Sequence, residues 1–120
     1  MVSFNLGNPQ EYRAFYAKLK AALGKGDKQT VAAMVNYPLR VNGDKEHKIP
    51  RIRTKADLVA HYDRIFTPEL VAAIVKEDYE DVIARDIGVG LANGSLWFTG
   101  ACVDKACKRR AIKVITVNMP

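Results

Sequence analysis

The stretch Gly88-Val89-Gly90-Leu91-Ala92-Asn93-Gly94-Ser95-Leu96-Trp97-Phe98-Thr99 reads as a β-hairpin. Asn-Gly is the pair that best tolerates the positive φ angles of a tight hairpin turn. Once the turn is placed at Asn93-Gly94, the register follows. Leu91 stands opposite Leu96 and Val89 opposite Phe98 on one face. Gly90 stands opposite Trp97 and Gly88 opposite Thr99 on the other. A large aromatic opposite a glycine covers bare backbone, and two glycines let the strand bend. The hairpin is therefore expected to form the curved wall of a half-open cone.

Beyond the hairpin, Ala111 to Asn118 predicts a closing strand. Its apolar residues change parity, Ile112 and Val114 on one, Ile115 and Val117 on the other. Either a bulge lies between them or both faces are buried.

Upstream the period is helical. Asn8-Pro9-Gln10-Glu11 is a helix start, and Tyr12, Phe15, Tyr16, Leu19, Ala22 and Leu23 form one apolar face that Gly24 and Gly26 end. Asp27 caps a short helix burying Val31, Met34 and Val35. Tyr37 to Val41 reads as a short strand that Pro38 confines to an edge or a strand start. Asn42-Gly43 is a turn pair, and the return through His47 to Ile52 is extended. Thr54-Lys55-Ala56-Asp57 opens a helix with Leu58, Val59, Tyr62, Ile65 and Phe66 inward. Thr67-Pro68-Glu69 opens the next, with Leu70, Val71, Ile74 and Val75 inward. The fold class is α+β: N-terminal helices packed on a curved antiparallel sheet, in one domain spanning 1–120.

The composition fits a globular domain. The chain has 120 residues, 48% apolar and 27% charged, with a formal charge of +6. A domain this long buries roughly two-thirds of its unfolded surface. No apolar run approaches the roughly 18 residues that span a membrane. The basic residues are spread along the chain, and aromatic interleaving is missing around the late cluster, so nucleic acid is not an expected partner. No Walker, dinucleotide, zincin or nucleophile-elbow motif occurs, and no cofactor or metal site is expected. The acidic run Asp78 to Asp81 lacks the ligand spacing of a calcium loop.

Two cysteines, Cys102 and Cys107, flank four residues. If these four form the loop between the last two strands, the cysteines face each other at the hairpin mouth, where a disulfide fits. Free thiols and half a metal site are the alternatives. The disulfide is favoured, and it implies a periplasmic or secreted protein.

The order helix, short helix, strand pair, two helices and hairpin set resembles the NTF2-like superfamily of cystatin-like α+β folds. The residues that carry this are Tyr37 to Val41, Tyr62 to Thr67, Gly88 to Gly90 with Asn93 to Phe98, and Ile112 to Asn118. They look like those of small exported bacterial members. The resemblance implies a pocket between helices and sheet, and Tyr16, Tyr37, Tyr62 and Trp97 are its candidate lining. It implies no catalytic residue, because no active-site motif of a characterised branch matches. The expected function is non-enzymatic binding of a protein partner or a small apolar ligand, with a homodimer through the sheet. The alternative is a cofactor-free isomerase, dehydratase or cyclase.

Overall fold

A computed structural model of the chain describes residues 9–43, 49, 51–85, 88–102 and 110–119. The elements run α1 (Pro9–Lys25), α2 (Lys28–Ala33), β1 (Val35–Asn42), α3 (Lys55–Ala60), α4 (Tyr62–Ile65), α5 (Pro68–Lys76), one 3-10 turn (Tyr79–Asp81), β2 (Ile83–Arg85), β3 (Gly88–Leu91), β4 (Leu96–Cys102) and β5 (Arg110–Asn118). The class is α+β as expected.

Local chemistry sets the helix ends. Gly26 takes φ +68°. Its N–H donates to the Leu23 carbonyl at 3.2 Å, and the Asp27 N–H donates to the Ala22 carbonyl at 3.0 Å. This is the paired 5→2 and 6→1 bonding of a Schellman ending. Gly24 is carried inside the helix. Asp27 accepts from the Thr30 N–H and caps α2. Thr54 and Asp57 close a reciprocal capping box on α3. Thr67 caps α5, with Pro68 in its first turn. The helix expected to run on from Thr54 to Phe66 instead breaks at His61, which ends α3 and precedes α4.

The five strands form one sheet in the order β1-β5-β4-β3-β2. The hairpin register is the one read from the sequence: Leu91 pairs with Leu96, Gly90 with Trp97 and Val89 with Phe98. Asn93 and Gly94 take φ +58° and +86°, and Ala92 joins them at +50°. On β5 the ladder slips once. Trp97 pairs with Thr116 and Phe98 with Val114, so Ile115 is the extra residue. That bulge returns Val117 to the same face as Val114, and both are fully buried.

Two expectations are corrected, and two others fall largely outside the described residues. The sheet is mixed, because β1 pairs parallel with β5. Most of the return segment after Asn42-Gly43, residues 44–48 and 50, lies outside the described residues; Ile52 meets Leu39 of β1 in an antiparallel bridge. Pro38 does sit on an edge strand, where its missing N–H costs no ladder bond. Val75, expected inward, is 40% exposed, while Ile74 takes the buried position on α5. Cys102 pairs with Arg110 at the end of the β4–β5 ladder. Cys107 and the Cys102 side chain lie outside what is described, as does the disulfide. The expected oxidising compartment rests on that pair alone.

The core lies between the helices and one sheet face. Tyr12, Tyr16 and Leu19 of α1 meet Val89, Leu91, Leu96, Phe98, Val114 and Val117. The Phe98 ring lies 4.9 Å from Phe15 and 6.1 Å from Tyr12, centroid to centroid.

The two glycines of β3 differ in what confines them. A methyl at Gly90 would lie 2.9 Å from carbons of the Trp97 ring, a side chain that can swing aside. At Gly88, φ is +142° and a methyl would meet the Phe98 carbonyl, which is backbone. Gly90→Ala should cost about 1–3 kcal/mol by overpacking. Gly88→Ala should cost more, because strained φ adds to the clash. Urea unfolding of both variants checks the order, and an equal or reversed ranking contradicts it.

Candidate functional site

The sequence-predicted pocket residues occupy separate places. Tyr16 and Tyr62 are buried in the core, at 5% and 4% exposure. The Tyr16 hydroxyl donates to the Glu77 carbonyl. The Tyr62 ring lies 5.0 Å from Phe66 with the Lys28 ammonium 5.5 Å above it. Its hydroxyl has no hydrogen-bond partner among the described residues. Tyr37 is half-buried on β1, and its hydroxyl donates to the Ala32 carbonyl at 2.7 Å. Trp97 lies on the sheet face away from the core, over Gly90, with its indole N–H donating to the Gly94 carbonyl at 3.0 Å. The fold does not bring these four together.

Burial changes three phenols. It pushes the Tyr37 hydroxyl up to about 12. It also raises Tyr62, helped by the nearby Asp63 and Asp27 charges. Burial raises Tyr79 as well, against an opposing pull from Arg13. All three are neutral through the physiological range, and Tyr37 is the one of them with a hydrogen-bond acceptor among the described residues. No polar or charged residue is buried among the described residues, and none of them forms a cluster of three metal-ligating side chains.

The described residues line at least three surface grooves. One, of about 450 Å³, lies between α1, α2 and β5. The i, i+3 spacing on α1 sets Phe15 beside Lys18. Thr30, Ala33 and Met34 come from α2 and its end, and Ile112 and Lys113 from the start of β5. Phe15 and Ile112 are half-buried against the core and Met34 is buried, so the floor is apolar and fixed. Among the described lining residues the rim carries two ammonium groups and no carboxylate, with Asp27 next to it accepting from the Thr30 hydroxyl. The Lys113 ammonium donates to the Ala33 carbonyl at 2.7 Å, at the C-terminal end of α2, which holds one donor and leaves the others to turn outward.

The second groove, about 350 Å³, is framed by Leu70 and Ala73 of α5, the Asn93-Gly94 turn, and Val117 to Met119, with Glu69 at its rim. The third, also about 350 Å³, follows β1 past Leu39, Val41 and Ile52 and carries Arg40 and Arg51. The sequence reading missed all three, because each gathers residues from distant segments. Met34 and Ile112 carried a signal only as core residues.

Glu77 was also missed. Its side chain accepts from the Ala92 N–H at 2.9 Å, while its carbonyl accepts from Tyr16 and, at 2.9 Å, from Lys20. Its role is to join α1, the end of α5 and the hairpin turn.

Set against known proteins, the chain matches no family model, no curated protein and no solved structure.

The raised phenols have a pH signature. An ordinary tyrosine ionises near about 10. Above that pH the unfolded chain releases protons that Tyr37, Tyr62 and Tyr79 retain when folded. The stability they contribute is therefore intact below about pH 10 and is lost as pH rises toward 12. Phenolate absorbance of the native chain should lag that of the chain in urea as pH climbs past 10. Superimposed curves contradict the burial of these hydroxyls.

Proposed function

We propose that the chain is an NTF2-like α+β domain that binds a small apolar ligand carrying an anionic end, in the groove between α1, α2 and β5. The observation that carries this is the pairing of an apolar floor with a rim whose charged lining, among the described residues, is Lys18 and Lys113. Phe15, Met34 and Ile112 offer buried contact, where each methylene removed from water gains roughly 0.8 kcal/mol. Lys18 and Lys113 offer charge at the mouth. The groove lies between helices and sheet, where the family resemblance places a pocket, and the element order and hairpin register support that resemblance.

Binding fits the described chemistry better than catalysis. An isomerase or dehydratase of this kind needs a carboxylate base in an apolar setting. Glu69, at the rim of the second groove, is exposed, and the half-buried Glu77 carboxylate is engaged by the Ala92 N–H. Three of the tyrosine hydroxyls are bonded to backbone: Tyr12 accepts from the Gly100 N–H at 2.9 Å, and Tyr16 and Tyr37 donate to carbonyls.

Calorimetric titration with a medium-chain fatty carboxylate tests the reading. Ala33 is exposed at the groove wall, so Ala33→Trp fills the groove without entering the core. It should weaken binding at least about tenfold, equivalent to about 1.4 kcal/mol. Lys18→Ala should weaken it by a smaller factor, and the matching neutral amide should bind less well than the acid. Absent binding, or binding indifferent to Ala33→Trp, removes the proposal.

A further inference from the structure

The sheet face opposite the core has a distinct composition. Pairing places Ile83 beside Gly90, Gly90 beside Trp97, Trp97 beside Thr116, and Thr116 beside Arg40. One row therefore crosses all five strands on one face. The next row holds Arg85 beside Gly88, and Thr99 beside Lys113. Exposure follows the alternation. Core-face Val89, Leu91, Leu96, Phe98, Val114 and Val117 are fully buried. On the opposite face Ile83, Trp97, Thr99 and Thr116 are partly exposed and Arg40 and Arg85 exposed, while the Lys113 ammonium turns away to the Ala33 carbonyl at the end of α2.

Two features give it a chemical preference. First, none of the five strands contains an Asp or Glu, while this face presents Arg40 and Arg85. Among the described residues no ion pair engages Arg40 or Arg85. Second, the Trp97 indole is held in place. One side of its ring lies against Gly90, so close that a methyl there would sit 2.9 Å from ring carbons, and its N–H is tied to the Gly94 carbonyl. A second copy of the chain would bring the same cations together, which disfavours self-association through this face.

We propose that this face binds single-stranded nucleic acid, with a base stacked on Trp97 and phosphates held by Arg40 and Arg85. Strands lie about 4.8 Å apart, so each arginine stems from a strand two places, or roughly 10 Å, from that of Trp97. Cations thus flank the indole on both sides, the arrangement that tracks a charged backbone past a stacked base. Every base has a π-face, so the site discriminates sequence weakly. The basic residues look scattered along the chain, and only strand pairing assembles them around the aromatic ring.

Trp97 is the chain's single tryptophan, so its emission reports on this face alone. Titration with oligothymidylate should quench it saturably. The logarithm of affinity should fall with the logarithm of salt at about −0.7 per phosphate contact. Arg40→Ala and Arg85→Ala should each flatten that slope by about 0.7. Both sites are exposed, so folding should be unaffected. Trp97→Leu, with folding checked by circular dichroism and binding by anisotropy of labelled oligonucleotide, should lose about tenfold or more. Trp97→Phe, which keeps a ring, should lose less, and Ala33→Trp should leave this binding unchanged. The proposal is overturned if oligothymidylate does not quench. It is equally overturned if inorganic polyphosphate binds as tightly and quenches alike, or if emission shifts with protein concentration alone, marking a second copy on the face.

Discussion

The structure depends on one break in the alternation of β5. A strand with strict period two cannot turn both Val114 and Val117 toward the same core. Looping out Ile115 removes that conflict, and both valines become fully buried beneath the helices. The bulge costs one unpaired residue and gains a continuous apolar wall from Val89 through Phe98 to Val117. The same shift sets Thr116 beside Trp97, so the composition of the opposite face follows from it as well.

The hairpin corner is the second fixed point. Three successive residues with positive φ include the alanine Ala92, an unfavourable backbone for a residue with a side chain. Its N–H is held by the Glu77 carboxylate. The Asn118 side chain and the Trp97 indole both donate to the Gly94 carbonyl, at 2.8 and 3.0 Å. Glu77 in turn anchors Tyr16 and Lys20 through its carbonyl. The turn that sets the sheet register is thereby tied to the helix that supplies much of the core. Both sheet faces, and hence both proposed sites, inherit their geometry from this junction.

What the sequence shows are features governed by neighbours a few residues away. The caps Asp27, Thr54 and Thr67, the Gly26 ending and the Asn93-Gly94 register are all local, and each was legible. The change of parity between Val114 and Ile115 leaves either a bulge or two buried faces, and the ladder contains the bulge. Features set by distant partners were not legible. Nothing local tells Val35–Asn42 to run parallel to β5 rather than to pair with its own return segment. Val75 follows the helical apolar pattern, yet Ile74 fills the available core volume. The row Ile83, Trp97, Thr116, Arg40 draws on four strands remote in sequence, so its charge and its aromatic ring were read apart. Tyr16 and Tyr62 fall on apolar helix faces in the sequence and Tyr37 on a strand, but the separation of the three comes from the packing of elements.

The account as a whole turns on the register of β4 against β5. The most direct measurement is a backbone NOE spectrum of isotope-labelled protein. It should show Trp97 across from Thr116 and Phe98 across from Val114, with Ile115 opposite neither. An unbroken ladder, with Phe98 across from Ile115, would contradict the account, since it would send Val114 and Val117 to opposite faces.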